Sequence, residues 1–162
     1  MNTTAEKNKK MVKFETTRFG PVAVSEDKII HFVHGIPGFK DVKRYILIDH
    51  DEDGVFRWLQ AVDRPDVAFL LTNPVLFKSD YNIVLRNGEL KSLGAKDPEH
   101  LVVFVMVCFD RENNTITLNL KGPVVLNSLN MRGIQLILDR EDYQVDYPVP
   151  IRTTSDEKRK SG

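Results

Sequence analysis

Short hydrophobic runs alternate with polar positions along most of the chain, and glycine, proline, asparagine and aspartate separate the runs. The pattern is clearest where Ile116, Leu118 and Leu120 alternate with threonine and asparagine. A repeat of two residues places successive side chains on opposite faces of a β-strand. The chain therefore predicts strands, with little of the spacing that is typical of amphipathic helices.

The strand prediction covers the whole body of the chain. Asn87-Gly88 is the strongest hairpin signal, and Asp97-Pro98 predicts one short helical turn. About ten short strands with closely spaced turns indicate an all-β fold. We expect a single small antiparallel β-barrel, or a related sandwich, with at most one or two short helical turns. The predicted runs are Lys13–Thr17, Val22–Val24, Ile29–Val33, Tyr45–Ile48, Val55–Val62, Val67–Thr72, Ile83–Leu85, Glu89–Leu93, Leu101–Phe109, Thr115–Leu120, Val124–Leu126 and Ile134–Leu138.

Leu101–Phe109 is the longest uninterrupted apolar run, at nine residues. Such a run predicts a strand that is buried on both faces, and it is far shorter than the roughly 20 residues that span a bilayer. We therefore expect no membrane association. Cys108, the only cysteine, lies within this run, so we expect its thiol to be buried and inert.

The chain has 162 residues, of which 41% are hydrophobic and 28% are charged. These values are typical of one folded domain and exclude an extended disordered chain. We expect a barrel domain at residues 12–151 between disordered ends at 1–11 and 152–162. The ends carry seven basic and three acidic residues, and the body carries 16 basic and 20 acidic residues, so the body has a net charge of −4.

The acidic body argues against direct nucleic-acid binding, which needs a basic surface to neutralise phosphates. The polar N-terminus lacks the apolar segment of a secretory signal. A single cysteine cannot form an intramolecular disulfide. The missing signal and the single cysteine together predict a cytoplasmic protein.

The sequence offers little catalytic or metal-binding chemistry. The acidic segment 49–54 matches the first half of an EF-hand loop, but Gln60 stands where calcium needs a bidentate glutamate. His31 and His34 are three residues apart on a predicted strand, which directs them to opposite faces. The sequence contains no nucleophile elbow, phosphate loop or dinucleotide motif. We expect no enzymatic activity, no metal and no cofactor.

Two aromatic turns suit protein binding instead. The turn before Phe39 either presents that ring outward or tucks it into the barrel. The loop from Pro74 to Asn82 combines apolar and aromatic residues with polar ones, as interface anchors do, although the same residues would also pack well at a barrel end. Exposed edges of an incompletely closed barrel offer another mode, in which a partner adds a strand.

Several short motifs occur along the chain in a fixed order. They are Gly35-Ile36-Pro37-Gly38-Phe39, Leu59-Gln60, Phe69-Leu70-Leu71, Asn73-Pro74, Asp80-Tyr81, Leu118-Asn119-Leu120-Lys121-Gly122-Pro123-Val124-Val125-Leu126-Asn127 and Gln135-Leu136-Ile137-Leu138. Each motif alone is moderately specific, whereas their order and spacing together are distinctive. Over about Met11 to Val149, the chain closely resembles the bacterial flagellar assembly factor family FliW.

The resemblance implies a cytoplasmic, non-enzymatic protein that binds flagellin before export, near the flagellin C-terminal region. It also implies binding to CsrA, a small dimeric RNA-binding protein that represses flagellin translation. Flagellin would occupy the protein while it accumulates. Secretion of flagellin would then free the protein to bind CsrA and relieve the repression. We expect the free protein to be a monomer.

The partner-binding residues are expected in the loop from Pro74 to Asn82. Phe77 and Tyr81 would act as anchors, Asp80 would meet a basic group, and Asn82 would complete the contact set. An alternative function is a small-ligand-binding barrel, with a flavin or nucleotide at its mouth, although no basic or glycine-rich phosphate cradle is visible. RNA binding through the basic ends is a further alternative, which the acidic body disfavours.

Overall fold

The computed structural model describes residues 10–150, so most of both predicted ends lies outside the described residues. This part of the chain contains one α-helix, α1 (Asn87–Ser92), and two 3-10 turns, Glu26–Lys28 and Pro74–Leu76. Its eleven strands are β1 (Met11–Thr16), β2 (Gly20–Ser25), β3 (Ile30–Phe32), β4 (Arg44–Asp49), β5 (Phe56–Ala61), β6 (Ala68–Thr72), β7 (Leu101–Asp110), β8 (Thr115–Leu118), β9 (Val124–Asn127), β10 (Arg132–Gln135) and β11 (Tyr147–Pro150).

Seven strands close into a ring in the order β7-β6-β5-β4-β3-β10-β9, because β9 pairs back onto β7. The ten-residue strand β7 makes this closure possible. Its Leu101–Phe104 half pairs with β9, its Val107–Asp110 half pairs with β8, and β6 pairs at its centre. β11 extends the sheet from β8, and β1 and β2 form a separate hairpin. The predicted all-β barrel is confirmed, with one departure: β10 pairs with β3 in parallel.

The barrel interior is filled by side chains that point inward from alternate positions of the ring strands. Phe32 and Tyr45 meet edge to face with their ring centroids 5.1 Å apart. Burial raises the pKa of Tyr45 to about 12, with a smaller contribution from the charge of Asp41. Phe39 is half-buried and packs its ring against Phe69 at 5.3 Å, so the turn before it tucks this ring inward rather than presenting it to a partner.

The outer face of the ring is covered in three places. The β1–β2 hairpin packs on an apolar cluster that includes Ile46 and Val62. Leu93, at the end of α1, lies among residues of β9 and β10. The third cover comes from the segments that contain Tyr81 and Tyr143, which pack on the outer side of β7 and β8. This third cover contains the loop that the sequence selects for binding.

The hairpin predicted at Asn87-Gly88 is wrong, because these two residues begin helix α1. A type I′ turn needs a positive φ at both central positions, and neither residue has one. Instead, Glu89 Oε1 accepts a hydrogen bond from the Arg86 amide at 2.8 Å, which satisfies a free amide before the first helical turn. Hence neither Ile83–Leu85 nor the segment from Glu89 forms a strand.

The chain around β7 and the C-terminal strand also depart from the predictions. β7 has exposed residues at Val102, Cys108 and Phe109, so it is not buried on both faces and its thiol is exposed. The predicted helical turn at Asp97 is replaced by a short turn, in which Asp97 Oδ1 accepts from the Glu99 amide. Strand β11 is an addition that the sequence did not predict.

Within residues 10–150, no helix is long and apolar enough to cross a membrane.

Candidate protein-binding surface

The 74–82 loop, from Pro74 to Asn82, leaves strand β6 through a capped turn. Asn73 Oδ1 accepts a hydrogen bond from the Val75 amide at 3.1 Å, and proline follows Asn73 at the first position of the 3-10 turn. The Phe77 amide donates to Pro74 O at 3.1 Å and closes this turn. The Phe77 ring is half-buried against Phe56, with centroids 6.2 Å apart, so only part of it is available to a partner.

Tyr81 is only 7% exposed and belongs to the outer apolar cluster under the loop. Its hydroxyl donates to Leu120 O at 2.8 Å, and its ring stacks on Tyr143 with centroids 4.6 Å apart. Burial raises the pKa of the Tyr81 phenol well above its usual value. In this arrangement Tyr81 supports the loop from beneath and presents almost no surface of its own.

Two residues that the sequence did not select fasten the far end of the loop. Asn82 N donates to the Tyr143 hydroxyl at 2.9 Å, and Asn82 O accepts from Arg140 Nη1 at 2.9 Å. The Arg140 guanidinium also lies over the Tyr143 ring, 4.0 Å from its centroid. Tyr143 and Arg140 are about 60 residues from the loop in sequence, so no local pattern reveals these contacts.

The polar residues of the loop lie on the surface. Asp80 and Asn82 are both exposed, and Asn82 Nδ2 donates to Asp80 O at 3.0 Å. Lys78 Nζ lies 3.0 Å from Asp80 Oδ1, and this hydrogen bond lowers the pKa of the Asp80 carboxyl. Asp80 is largely exposed and Lys78 is partly exposed, so the pair contributes little to stability.

A second acidic segment lies beside Asp80. Arg140 donates to Asp142 at 2.6 Å and lowers the pKa of that carboxyl, and the charge of Asp142 in turn acts on Asp80. We use the name acidic surface for Asp80 and the exposed carboxylates of the segment 139–146, whose neighbouring cations Lys78 and Arg140 are already paired with Asp80 and Asp142. Its members are Asp80, Asp139, Glu141, Asp142 and Asp146.

The structure thus divides the four predicted contact residues by position. Asp80 and Asn82 are exposed, Phe77 is half-buried and Tyr81 is buried. Their role in partner contact stays a prediction, and the geometry gives Tyr81 the part of a support. The acidic segment at 139–146 belongs to the same surface and was missed. Its excess of carboxylates was readable in the sequence, but its position beside Asp80 was not.

Several cavities of the described residues lie on the outer surface of the barrel. One of about 350 Å³ lies between the β1–β2 turn and the β5–β6 loop, with Arg18, Gln60 and Asp66 in its lining. The barrel interior itself is packed with side chains. The exposed loop and the acidic surface offer a face to which a macromolecule can bind.

The fold and this surface define a small closed β-barrel protein with an acidic, partly apolar exposed face. The family model described as "FliW protein" matches residues 13–149, and the chain belongs to the FliW family. The resemblance deduced from the motifs is thereby confirmed.

Named relatives agree with this assignment. A "Flagellar assembly factor FliW" from Caldanaerobacter subterraneus subsp. tengcongensis is 39% identical over 140 residues, covering 85% of this chain and 93% of the relative. Another with that name, from Exiguobacterium sp., is 40% identical over 135 residues, covering 83% and 92%. The crystal structure of the flagellar assembly factor FliW superimposes with a TM-score of 0.76 at 28% identity, covering 85% of this chain and 96% of that one.

Proposed function

We propose that this chain is a flagellar assembly factor that binds flagellin in the cytoplasm and, when free of flagellin, binds and antagonises CsrA. Antagonism of CsrA would relieve the repression of flagellin synthesis. The observation that carries the proposal is the family match over residues 13–149, together with relatives named as flagellar assembly factors. The proposed role is binding without catalysis, in keeping with a surface built from a loop and an acidic segment.

The switch operates by linkage between two partners. If flagellin and CsrA exclude each other, each lowers the apparent affinity of the other in proportion to its own occupancy. Accumulated flagellin then keeps CsrA free to repress, and secretion of flagellin reverses this. No catalytic step is needed, because the concentration of unsecreted flagellin sets the outcome.

The partner switch is tested by calorimetric titration with flagellin and CsrA from the same organism. We expect this chain to bind each partner alone and to lose CsrA binding in the preformed flagellin complex. Binding to flagellin alone would remove the translational role, and binding to neither would overturn the proposed function.

The acidic surface supports the CsrA part of the proposal, since opposite charges steer and orient association with a basic RNA-binding protein. We expect affinity for CsrA to fall as salt rises, because exposed charges are screened within about 10 Å at 0.1 M salt. Asp80→Lys is expected to weaken CsrA binding about three- to tenfold at low salt. Titrations at several salt concentrations measure both effects.

Asp53→Lys is the matched control for this charge reversal. Asp53 is also exposed but lies in the β4–β5 loop, where the same change of charge should leave affinity for CsrA nearly unaltered. An Asp80→Lys variant that binds CsrA like the Asp53→Lys variant would remove the electrostatic argument. So would an affinity that is independent of salt.

A further inference from the structure

A cavity of about 350 Å³ lies on the outer face of strand β5, between the β1–β2 turn and the β5–β6 loop. This volume falls within the range of about 300–1,000 Å³ that is usual for small-molecule sites. None of its lining residues belongs to the 74–82 loop or to the acidic surface. The lining combines a cation, a carboxylate and a carboxamide with a hydroxyl and two apolar residues, namely Arg18, Asp66, Gln60, Thr17, Pro65 and Ala68.

Gln60 brings an unpartnered hydrogen-bond acceptor to this cavity. Its neighbours Leu59 and Ala61 belong to the barrel core, so Gln60 points to the opposite, outer face of β5. The residue is 0% exposed, and its Nε2 donates to Ala61 O at 2.9 Å and to Val67 O at 3.2 Å. These contacts fix which end of the carboxamide carries the oxygen. Gln60 Oε1 has no hydrogen-bond partner among residues 10–150.

The unpaired oxygen of Gln60 indicates what kind of group the cavity lacks. A buried acceptor without a donor is costly, because it has lost its contacts with water and gained none in exchange. The great majority of such buried groups in folded proteins are paired. Since Nε2 is already bonded to carbonyl groups of the chain, the group that completes Gln60 has to be an N–H or O–H donor.

Arg18 supplies the charge that a ligand can use. Its guanidinium lies over the Trp58 ring, 4.0 Å from the centroid, and forms no ion pair with a described residue. Asp66, in contrast, accepts two hydrogen bonds of 3.2 Å from Arg64, which lower the pKa of its carboxyl. A guanidinium pairs well with carboxylates and phosphates. The nearby charge of Asp66 opposes a doubly charged phosphate more than a carboxylate.

We propose that this cavity binds a small carboxylic acid that carries an N–H donor on the carbon next to the carboxylate. A free α-amino acid and the C-terminal residue of a peptide share this chemistry. The carboxylate would pair with Arg18, and the N–H group would donate to Gln60 Oε1. Pro65 and Ala68 would contact a small aliphatic side chain.

Calorimetric titration with each protein amino acid, and separately with trialanine, tests the site. We expect at least one of these probes to bind with a dissociation constant below about 1 mM. Binding of amino acids alone would assign the site to a free amino acid, and binding of trialanine alone would assign it to a peptide end. The C-terminal amide of the bound probe should bind about tenfold or more weakly, because it lacks the carboxylate. Absence of binding by every probe, or equal binding of the amide, would overturn the proposal.

Arg18→Gln should weaken binding of the probe about tenfold or more. Arg111→Gln is the matched control, because Arg111 is also exposed and forms no ion pair with a described residue, but lies in the β7–β8 turn. This control removes the same charge elsewhere and should change the affinity less than twofold. Equal affinities of the two variants would show that Arg18 does not hold the carboxylate, and would overturn the proposed site.

Nitrogen-15 NMR reports on Gln60 without a substitution, which would also remove the contacts of Nε2 with the β5–β6 loop. The side-chain amide resonances of Gln60 should shift when the probe saturates the protein. Those of Asn113, whose Nδ2 donates to Asp110 in the β7–β8 turn, should not shift. Unshifted Gln60 resonances would overturn the proposal. These experiments use neither flagellin nor CsrA, so their outcome is independent of the proposed function.

Discussion

Gly35→Ala is expected to lower the free energy of unfolding by roughly 2–5 kcal/mol. Gly35 has a φ of +67°, a conformation that disfavours any residue with a Cβ. A Cβ at this position would lie 2.5 Å from Lys40 O and 2.6 Å from Lys40 Cα. These are backbone atoms, so no side-chain rotation relieves the clash. The turn that carries Phe39 into the barrel would have to open.

Gly38→Ala provides a matched control within the same turn. Gly38 also has a positive φ, +87°, but a Cβ added there would meet no atom within 4 Å. This variant should therefore lose only the conformational part, about 1–2 kcal/mol. Denaturant unfolding of the two variants measures the difference. If Gly35→Ala proves no more destabilising than Gly38→Ala, the close approach of Lys40 does not constrain the turn.

Tyr81→Ala is expected to cost about 3–5 kcal/mol of stability, the range for a large buried aromatic side chain. The substitution removes the stacking partner of Tyr143, the hydrogen bond to Leu120 O and the packing beneath the loop. Tyr81→Phe keeps the ring and should cost only about 1–3 kcal/mol, because the carbonyl of Leu120 is left without this donor. Thermal or denaturant unfolding of both variants measures these losses.

These two variants also separate support from direct contact. We expect Tyr81→Phe, measured where it is fully folded, to bind both partners within about twofold of the unmodified chain, since a change of about 0.4 kcal/mol corresponds to that factor. A Tyr81→Phe variant that keeps its stability but loses partner affinity would make the hydroxyl a contact group. A Tyr81→Ala variant with unchanged stability would show that the ring is not the support described above.

The candidate surface was predictable only in its local part. The loop with Phe77, Asp80 and Asn82 stands out because apolar, aromatic and charged residues follow one another there. Tyr81 was selected by the same signal, yet its ring is buried, since an aromatic residue in a loop serves equally well as an anchor or as core. Tyr143 and Arg140 decide between these outcomes, and both come from a distant segment.

The Asn87-Gly88 region shows a second limit of local reasoning. The dipeptide favours a tight hairpin when two strands flank it, and the residues on both sides had strand-like composition. In the structure, the contact of Glu89 with the Arg86 amide and the burial of Leu93 against β9 and β10 stabilise a helical turn instead. Burying one leucine stabilises by about 1.5–3 kcal/mol, more than the roughly 1 kcal/mol that strand propensities span.

By itself, the sequence determined that this protein is an all-β domain, where most of its strands lie and which family it belongs to. These properties follow from the alternation of hydrophobic and polar residues, from turn residues and from the order of the motifs, all of which are local features of the sequence. Only the tertiary structure decided that β9 closes the ring on β7, that β10 runs parallel to β3, and that the Tyr81 side chain is buried. Those outcomes depend on contacts between segments that are far apart in sequence. Burial and backbone pairing there are determined by the packing of the complete fold.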